Sequence, residues 1–116
     1  MGLDTTHGCF HGPYSAFSDW RGNVCAVAGY GPLDEYVGFG GSMEWPDPKE
    51  DPLILLLRHS DCDGEISAKD CGPIAARLMS ILPSMKICGN WYLYTTQQWI
   101  DGLNTASKAG ECVEFR

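Results

Sequence analysis

The sequence is poor in basic residues and carries them singly. Its 116 residues include 8 lysines and arginines against 15 aspartates and glutamates, which gives a formal charge of −7. A protein that binds duplex DNA or RNA without sequence preference usually presents a basic stripe to the phosphates, and no basic run is present here. The composition therefore argues against duplex nucleic acid as a partner. A pocket for a small anion remains compatible, because it needs only a few cations and backbone N–H groups.

Long apolar runs and an apolar leader are missing as well. No stretch approaches the roughly 20 apolar residues that span a bilayer, so we expect no membrane partner. Met1 leads into Gly2, Leu3 and Asp4 without the apolar region of a secretory signal, which predicts a cytoplasmic protein. In that compartment we expect the six cysteines to be reduced thiols and not disulfides.

The common catalytic motifs are also missing. The chain has no G-x-S-x-G elbow, no phosphate-binding P-loop, no dinucleotide-binding glycine fingerprint and no paired C-x-x-C. One route to covalent catalysis remains, in which a histidine activates the thiol of Cys9 or Cys62. The sequence leans towards a binding protein and leaves an enzyme open.

The apolar and aromatic content predicts one packed core. Apolar residues make up 44% of the chain and aromatic residues 11%, which is sufficient for a single domain over residues 1–116. Apolar spacing and cap residues predict helices over about 13–28, 67–82 and 95–109, the second of them stopped by Pro83. Apolar or aromatic runs predict short strands at 53–57, 91–94 and 112–115. The expected fold is α+β, with about three helices packed on a small sheet of three to four short strands.

Residues 30–52 are rich in glycine and proline and predict a long loop. Irregular segments of this length are uncommon in small domains unless they belong to a site. The loop contains Tyr36, Phe39 and Trp45. These aromatic side chains either pin the loop to the core or fold over a ligand, and both interpretations stay open.

The segment from His59 to Asp70 is the most polar in the chain. It can be aligned with the twelve-residue calcium loop of EF-hands, with Asp61 and Asp63 as ligands and Gly64 at the sharp turn. Two positions depart from that pattern, because His59 replaces the first carboxylate and Asp70 is shorter than the usual last glutamate. The alternative is a structural turn in which the aspartates accept hydrogen bonds from backbone N–H groups.

The same segment can also form a ligand site. A polar loop that follows a buried strand lies at the edge of a sheet where ligands commonly bind, and the next helix N-terminus attracts anions. Arg58 and Lys69 are near enough in sequence to help. The candidate ligand-binding residues of the chain are His7, His11, Trp45, Arg58, His59, Ser60, Asp61, Asp63 and Lys69.

A second polar cluster lies at residues 7–11. If this segment is a strand, then His7, Cys9 and His11 point to one face and can bind zinc, with His59 or Cys62 completing the site. A polar turn in which the histidines form hydrogen bonds fits equally well. We expect no cofactor. If zinc or calcium is bound, the candidate ligands are His7, Cys9, His11, His59, Asp61 and Asp63.

Four segments together carry a resemblance to a known family. They are the opening MGLDTTH, the aromatic stretch Tyr14-Ser15-Ala16-Phe17 with Trp20-Arg21, the loop His59-Ser60-Asp61-Cys62-Asp63-Gly64, and Thr96-x-x-Trp99-Ile100-x-Gly102. The chain resembles, over nearly its whole length, a family of small bacteriophage and prophage accessory proteins. The resemblance implies a phage protein in the cytoplasm of the infected host. Such proteins are often counter-defence factors, either inhibitors of host proteins or sponges for nucleotide immune signals.

Three functions follow as hypotheses. The favoured one is a counter-defence binding protein, expected to be a homo-oligomer, that sequesters a cyclic oligonucleotide or an ADP-ribose derivative without turnover. The aromatic loop would stack a base and Arg58 would meet a phosphate. The first alternative is a metal-dependent phosphodiesterase that cleaves such a signal. The second is an acidic protein inhibitor of a host defence protein, which the net charge permits.

Overall fold

Helices dominate the fold, and two of them form a long hairpin. The structure is a computed structural model that describes residues 2–116, with 57% helix. The helices are α1 (Tyr14–Val27), α2 (Leu53–Leu57), α3 (Ala68–Cys88) and α4 (Asn90–Ala109), and short 3-10 turns span Thr6–Gly8 and Leu33–Glu35. Within residues 2–116, no helix is long and apolar enough to cross a membrane.

The strands are short and form two separate antiparallel ladders. Strand β1 (Gly2–Asp4) pairs with β2 (His11–Pro13), and β3 (Glu65–Ile66) pairs with β4 (Val113–Glu114). In the second ladder Ile66 lies opposite Val113. The predicted α+β class is confirmed. The helices nevertheless pack mainly on one another, and within residues 2–116 the four strands form two separate pairs and not one sheet.

Helix α1 follows the prediction closely. Its first turn follows Pro13, whose ring fixes φ near −60°. Gly29 adopts a φ of +96° directly after the helix, a conformation that suits glycine at a helix end. Phe17 and Val24 are buried on the predicted apolar face.

Residues 53–57 form helix α2, so the predicted buried strand is wrong. The side-chain Oδ1 of Asp51 accepts a hydrogen bond of 3.0 Å from the Leu53 N–H and satisfies a donor in the first helical turn. Four of the five side chains are buried: Leu53, Ile54, Leu56 and Leu57. A short helix buried on several sides has the same apolar pattern as a buried strand, so the pattern did not distinguish them.

Helix α3 continues past Pro83, which was predicted to stop it. Proline removes the N–H that would bond to the carbonyl of Met79, one turn earlier. Both residues are exposed, so water can satisfy that carbonyl. The helix ends at Cys88, and Gly89, with a φ of +139°, makes the sharp connection to α4.

Helix α4 contains the segment 91–94, which was predicted as a strand. Thr95 and Thr96 lie inside the helix and do not cap it, because it already begins at Asn90. The predicted inward face is confirmed, with Trp99, Ile100, Leu103 and Ala106 all buried. Gly110 ends the helix as predicted, in the left-handed conformation at a φ of +68°.

The centre of the core is an aromatic stack between α1 and α4. The rings of Trp20 and Trp99 are nearly parallel, with centroids 5.3 Å apart and an interplanar angle of 7°. Trp20 Nε1 donates a hydrogen bond of 2.9 Å to Thr96 Oγ1. This contact joins the buried face of α1 to α4 at the residue before Arg21.

Candidate ligand-binding site

A cavity of about 480 Å³ lies between α1, the loop at 37–45 and residues 58–61. Its volume falls in the range of about 300–1,000 Å³ that small-molecule sites usually occupy. Five predicted ligand-binding residues line it: Trp45, Arg58, His59, Ser60 and Asp61. The remaining lining residues were not predicted, and they are Ser18, Arg21, Val37, Gly38 and Phe39. We refer to this cavity as the Arg21 pocket.

The aromatic loop forms one wall of the Arg21 pocket. Gly38 has a φ of +91°, which an L side chain rarely adopts, and it allows the chain to turn there. Tyr36 is buried and stacks on Trp45, with ring centroids 4.1 Å apart and an interplanar angle of 13°. Trp45 Nε1 donates a hydrogen bond of 3.2 Å to the Val37 carbonyl. The role of pinning the loop to the core is therefore present, since Tyr36 is buried and Phe39 and Trp45 pack against the core. Phe39 and Trp45 also line the pocket, and folding over a ligand stays a prediction.

Arg21 is the buried cation of this pocket. It is only 4% exposed, and its guanidinium carbon lies 4.6 Å from the centre of the Phe17 ring and 4.7 Å from that of Phe39. Nη1 donates a hydrogen bond to the carbonyl oxygen of His59. Nε is fully buried and has no hydrogen-bond partner in the part of the chain that the structure describes.

The charge of Arg21 is not neutralised by contact. Among residues 2–116 no carboxylate forms an ion pair with it. Burial lowers the pKa of Arg21 from 12.5 to about 10, and the negative charge of Asp61 opposes that shift. A buried guanidinium without a direct counter-ion is costly, and an anion in the pocket would lower that cost through its negative charge.

His59 holds its own loop in place. Its ring stacks on Phe115 at a centroid distance of 4.0 Å. Nδ1 lies 2.8 Å from the Ser60 carbonyl oxygen and Nε2 lies 3.2 Å from the Glu65 carbonyl oxygen. Because both ring nitrogens face backbone carbonyls, the ring is engaged with the protein. The contribution of His59 to the pocket is its place in the wall and its carbonyl group, which orients Arg21.

Four predicted ligand-binding residues lie outside the Arg21 pocket. Asp63 and Lys69 are exposed and do not line it. His11 lies on β2 with its side chain 83% exposed, 3.4 Å from Asp4. His7 lies in the first 3-10 turn, hydrogen-bonded to Glu111, beside a separate groove on α4.

Residues 7–11 do not form one strand, so the predicted convergence of their side chains is wrong. His7 has a φ of +63° within the 3-10 turn, whereas His11 belongs to β2. Cys9 lies between them with its side chain buried in the core. The period-two alternation that would align the three side chains requires an extended backbone, and the turn replaces it.

No group of three or more histidine, cysteine, aspartate or glutamate side chains is arranged to hold a metal ion within residues 2–116. At the end of the polar segment, Asp70 Oδ2 accepts a hydrogen bond of 2.6 Å from Ser67 Oγ at the start of α3. Zinc and calcium stay open as alternatives to a protein without a cofactor.

The thiols are free, and the two named as nucleophiles differ in exposure. Burial raises the pKa of Cys9 to about 12, so this thiol stays protonated at neutral pH and is a poor nucleophile. Cys62 is exposed, and its Sγ lies 3.6 Å from Ser60 Oγ. Neither thiol has a histidine hydrogen-bond partner among the described residues.

Comparison with protein-family models, with curated proteins and with solved structures finds no match to this chain. The Arg21 pocket is therefore the basis on which we infer the function. Sequence analysis missed Arg21 because a charged residue on an amphipathic helix is ordinarily assigned to the solvent side. The one available signal was its position directly after Trp20, on the same side of the helix as the aromatic residues.

Proposed function

We propose that this chain is a binding protein that captures a small nucleotide-derived anion in the Arg21 pocket without turnover. The observation that carries the proposal is the buried guanidinium of Arg21, which lines the pocket and lacks a direct carboxylate partner within residues 2–116. A phosphate group would supply the missing negative charge and accept charge-assisted hydrogen bonds.

The wall opposite this cation suits a base. Tyr36 stacks on one face of the Trp45 indole, and the Phe39 ring meets the indole at an angle of 84°. A base that enters the pocket would stack on the part of the indole that lines it. Arg58 lines the same pocket and is exposed, which places a second cation where a phosphate could reach it. A planar base joined to a phosphate therefore matches the chemistry of this pocket better than an uncharged ligand does.

Binding without turnover is favoured by the functional groups of the pocket. Among the lining residues Asp61 is the single carboxylate, and no thiol is present. A pair of carboxylates or a thiol with a histidine, as acid–base and nucleophilic catalysis commonly use, is therefore not assembled there. His59 also lines the pocket, but both of its ring nitrogens already face backbone carbonyl groups.

The biological setting comes from the resemblance to phage accessory proteins. In the cytoplasm of an infected host, such a protein would lower the free concentration of a nucleotide immune signal. A homo-oligomer remains part of this proposal. Size-exclusion chromatography with light scattering tests it, and a monomeric mass with and without ligand would remove it.

Isothermal titration calorimetry with a panel of nucleotides tests the proposal directly. The panel contains mononucleotides, cyclic mono- and dinucleotides, and ADP-ribose derivatives. We expect at least one member to bind, and Arg21→Gln to weaken it by at least about 10-fold, since hydrogen bonds to charged groups contribute that much. Lys108→Gln is the matched control, because it also removes one cation and lies exposed near the end of α4.

The same samples separate capture from cleavage. Heat denaturation should release the ligand unchanged, and a cleaved product would favour the phosphodiesterase alternative. Stacking should also alter the fluorescence of Trp45, and Trp45→Phe should remove the change while Trp91→Phe, at an exposed position of α4, keeps it. The proposal fails if no member of the panel binds, or if Arg21→Gln binds as tightly as the parent protein.

A further inference from the structure

Asp61 contributes an unused carboxylate to the Arg21 pocket. Its side chain is half-buried and lines the cavity together with Trp45 and Phe39. It accepts no hydrogen bond from any residue that the structure describes, whereas the nearby Ser60 side chain bonds to the Cys62 N–H. The Asp61 oxygens are not fully buried, so they are open to a donor group of a ligand that enters the pocket.

The position of Asp61 determines which part of a nucleotide can face it. A carboxylate is an acceptor only, so it repels a phosphate and attracts N–H donors. The phosphate of a bound nucleotide would therefore lie towards Arg21 and Arg58. The base, stacked on Trp45, would then present its hydrogen-bonding edge to Asp61.

Guanine and adenine present different hydrogen-bond donors at that edge, and a carboxylate can distinguish them. Guanine presents two adjacent donors, N1–H and the 2-amino group, which match the two oxygens of a carboxylate. Adenine presents one amino donor beside the N1 lone pair, which a carboxylate repels. Two parallel charge-assisted hydrogen bonds form in the first case and at most one in the second.

The net charge of the pocket also restricts how many phosphate charges the ligand can carry. Arg21 and Arg58 contribute two positive charges and Asp61 one negative charge, so the arginines and the aspartate of the pocket together carry one net positive charge. A phosphodiester carries one negative charge and neutralises this pocket. A diphosphate or triphosphate would bring further negative charge close to Asp61 and be disfavoured.

We infer that Asp61 makes the Arg21 pocket selective for guanine-containing phosphodiesters. This inference rests on the proposed function, since it names the ligand of the same site. The carboxylate serves as the base-recognition group, Trp45 as the stacking surface, and Arg21 with Arg58 as the phosphate contacts.

Three cyclic mononucleotides test the inference with the parent protein alone. Cyclic 3′,5′-GMP should bind at least about 10-fold more tightly than cyclic 3′,5′-AMP, because the second hydrogen bond to the carboxylate is lost with adenine. Cyclic 3′,5′-IMP, which lacks the 2-amino group, should fall between them. These measurements need no substitution and so do not depend on the folding of a variant.

Asp61→Asn supplies the sharper test. An amide offers one acceptor and one donor, which complements adenine, so the preference for cyclic GMP should be lost or reversed. Asp63→Asn is the matched control, because it makes the same change two residues away at an exposed position that does not line the pocket. This control should keep the preference of the parent protein.

The outcomes separate the inference from the proposed function. If both cyclic nucleotides bind equally and Arg21→Gln weakens both, the binding function stands and the role of Asp61 is overturned. If ADP-ribose or cyclic AMP binds more tightly than cyclic GMP, the role of Asp61 is likewise overturned. If nothing in the nucleotide panel binds, both fall together.

Discussion

The guanidinium carbon of Arg21 lies 4.7 Å from the centre of the Phe39 ring, which joins the floor of the pocket on α1 to its glycine-rich wall. On its other side the same group lies over Phe17 in the core. A cation held between two aromatic faces is partly compensated by their electron density, at about 0.5–2 kcal/mol for each contact. This arrangement keeps Arg21 charged and in place before any ligand arrives.

Removal of Arg21 should therefore affect binding far more than stability. In Arg21→Met we expect the free energy of unfolding to stay within about 1 kcal/mol of the parent value, because the cost of burying an unpaired cation disappears while the side chain still fills the space. Urea denaturation measures this. A loss of about 3 kcal/mol or more would instead make Arg21 chiefly a structural support for the His59 carbonyl.

Arg77→Met is the comparison for that variant, because Arg77 is a paired arginine. Its Nε lies 3.1 Å from Asp51 Oδ2, and the carboxylate is almost fully buried. Removing this cation leaves a buried carboxylate with one partner fewer. We expect a loss of about 2 kcal/mol in the free energy of unfolding, against little change for Arg21→Met.

The carboxylate of Asp51 should contribute to stability in a pH-dependent way. Burial by itself raises its pKa, but hydrogen bonds from Tyr30, the Leu53 N–H and Arg77 outweigh burial and lower the pKa below 3.8. Because the folded pKa lies below the unfolded one, this contribution is fully present above about pH 4 and is lost as the pH falls through the folded value.

Asp51→Asn should remove that part of the pH dependence. We expect it to lower the free energy of unfolding by about 2 kcal/mol at pH 7 and to flatten its decline in acid. Asp34→Asn, at an exposed position, is the control and should behave as the parent protein does. If the free energy of unfolding declined equally in acid for Asp51→Asn and the parent protein, the role of Asp51 would be contradicted.

Thr96 should be essential for the packing of Trp20. Its hydroxyl accepts a hydrogen bond from Trp20 Nε1, and Thr96→Val leaves that buried N–H without a partner at a cost of about 1–3 kcal/mol. Thr96 Oγ1 also donates a hydrogen bond to the Tyr92 carbonyl, four residues earlier. Thr105→Val is a close control, because Thr105 donates the equivalent bond to the Asp101 carbonyl but is exposed. Thermal unfolding distinguishes them, and similar midpoints would count against the role of Thr96.

Two glycines within helices should respond in opposite directions to alanine. A Cβ on Gly102 would lie 2.5 Å from Cys9 Sγ and 2.9 Å from the His7 carbonyl oxygen, so Gly102→Ala should cost about 1–3 kcal/mol. A Cβ on Gly22 in α1 meets no atom within 4 Å, and Gly22→Ala should add about 0.5–1 kcal/mol. Chemical denaturation of both variants checks the sign of each change.

Local patterns predicted α1 and the second half of α4 well. The spacing that places Trp99, Ile100 and Leu103 inward is a local property, and Gly29 and Gly110 end their helices by their own backbone freedom. The same reasoning failed where a segment is buried on several sides or rich in aromatic residues. Residues 53–57 and 91–94 are helical in the structure, and a short apolar or aromatic run does not by its spacing distinguish a helix from a strand.

The sequence alone predicted that Arg58, His59, Ser60 and Asp61 share one polar loop after an apolar run. That run is helix α2, so the predicted position at the edge of a sheet is wrong. Only the tertiary structure decided that Arg21 lies at the floor of the candidate site. Burial of that cation depends on a loop more than fifteen residues further along the chain folding over α1 to place Phe39 on the guanidinium. No local spacing encodes such a contact, because it exists only once the Trp20 and Trp99 stack has set the orientation of α1.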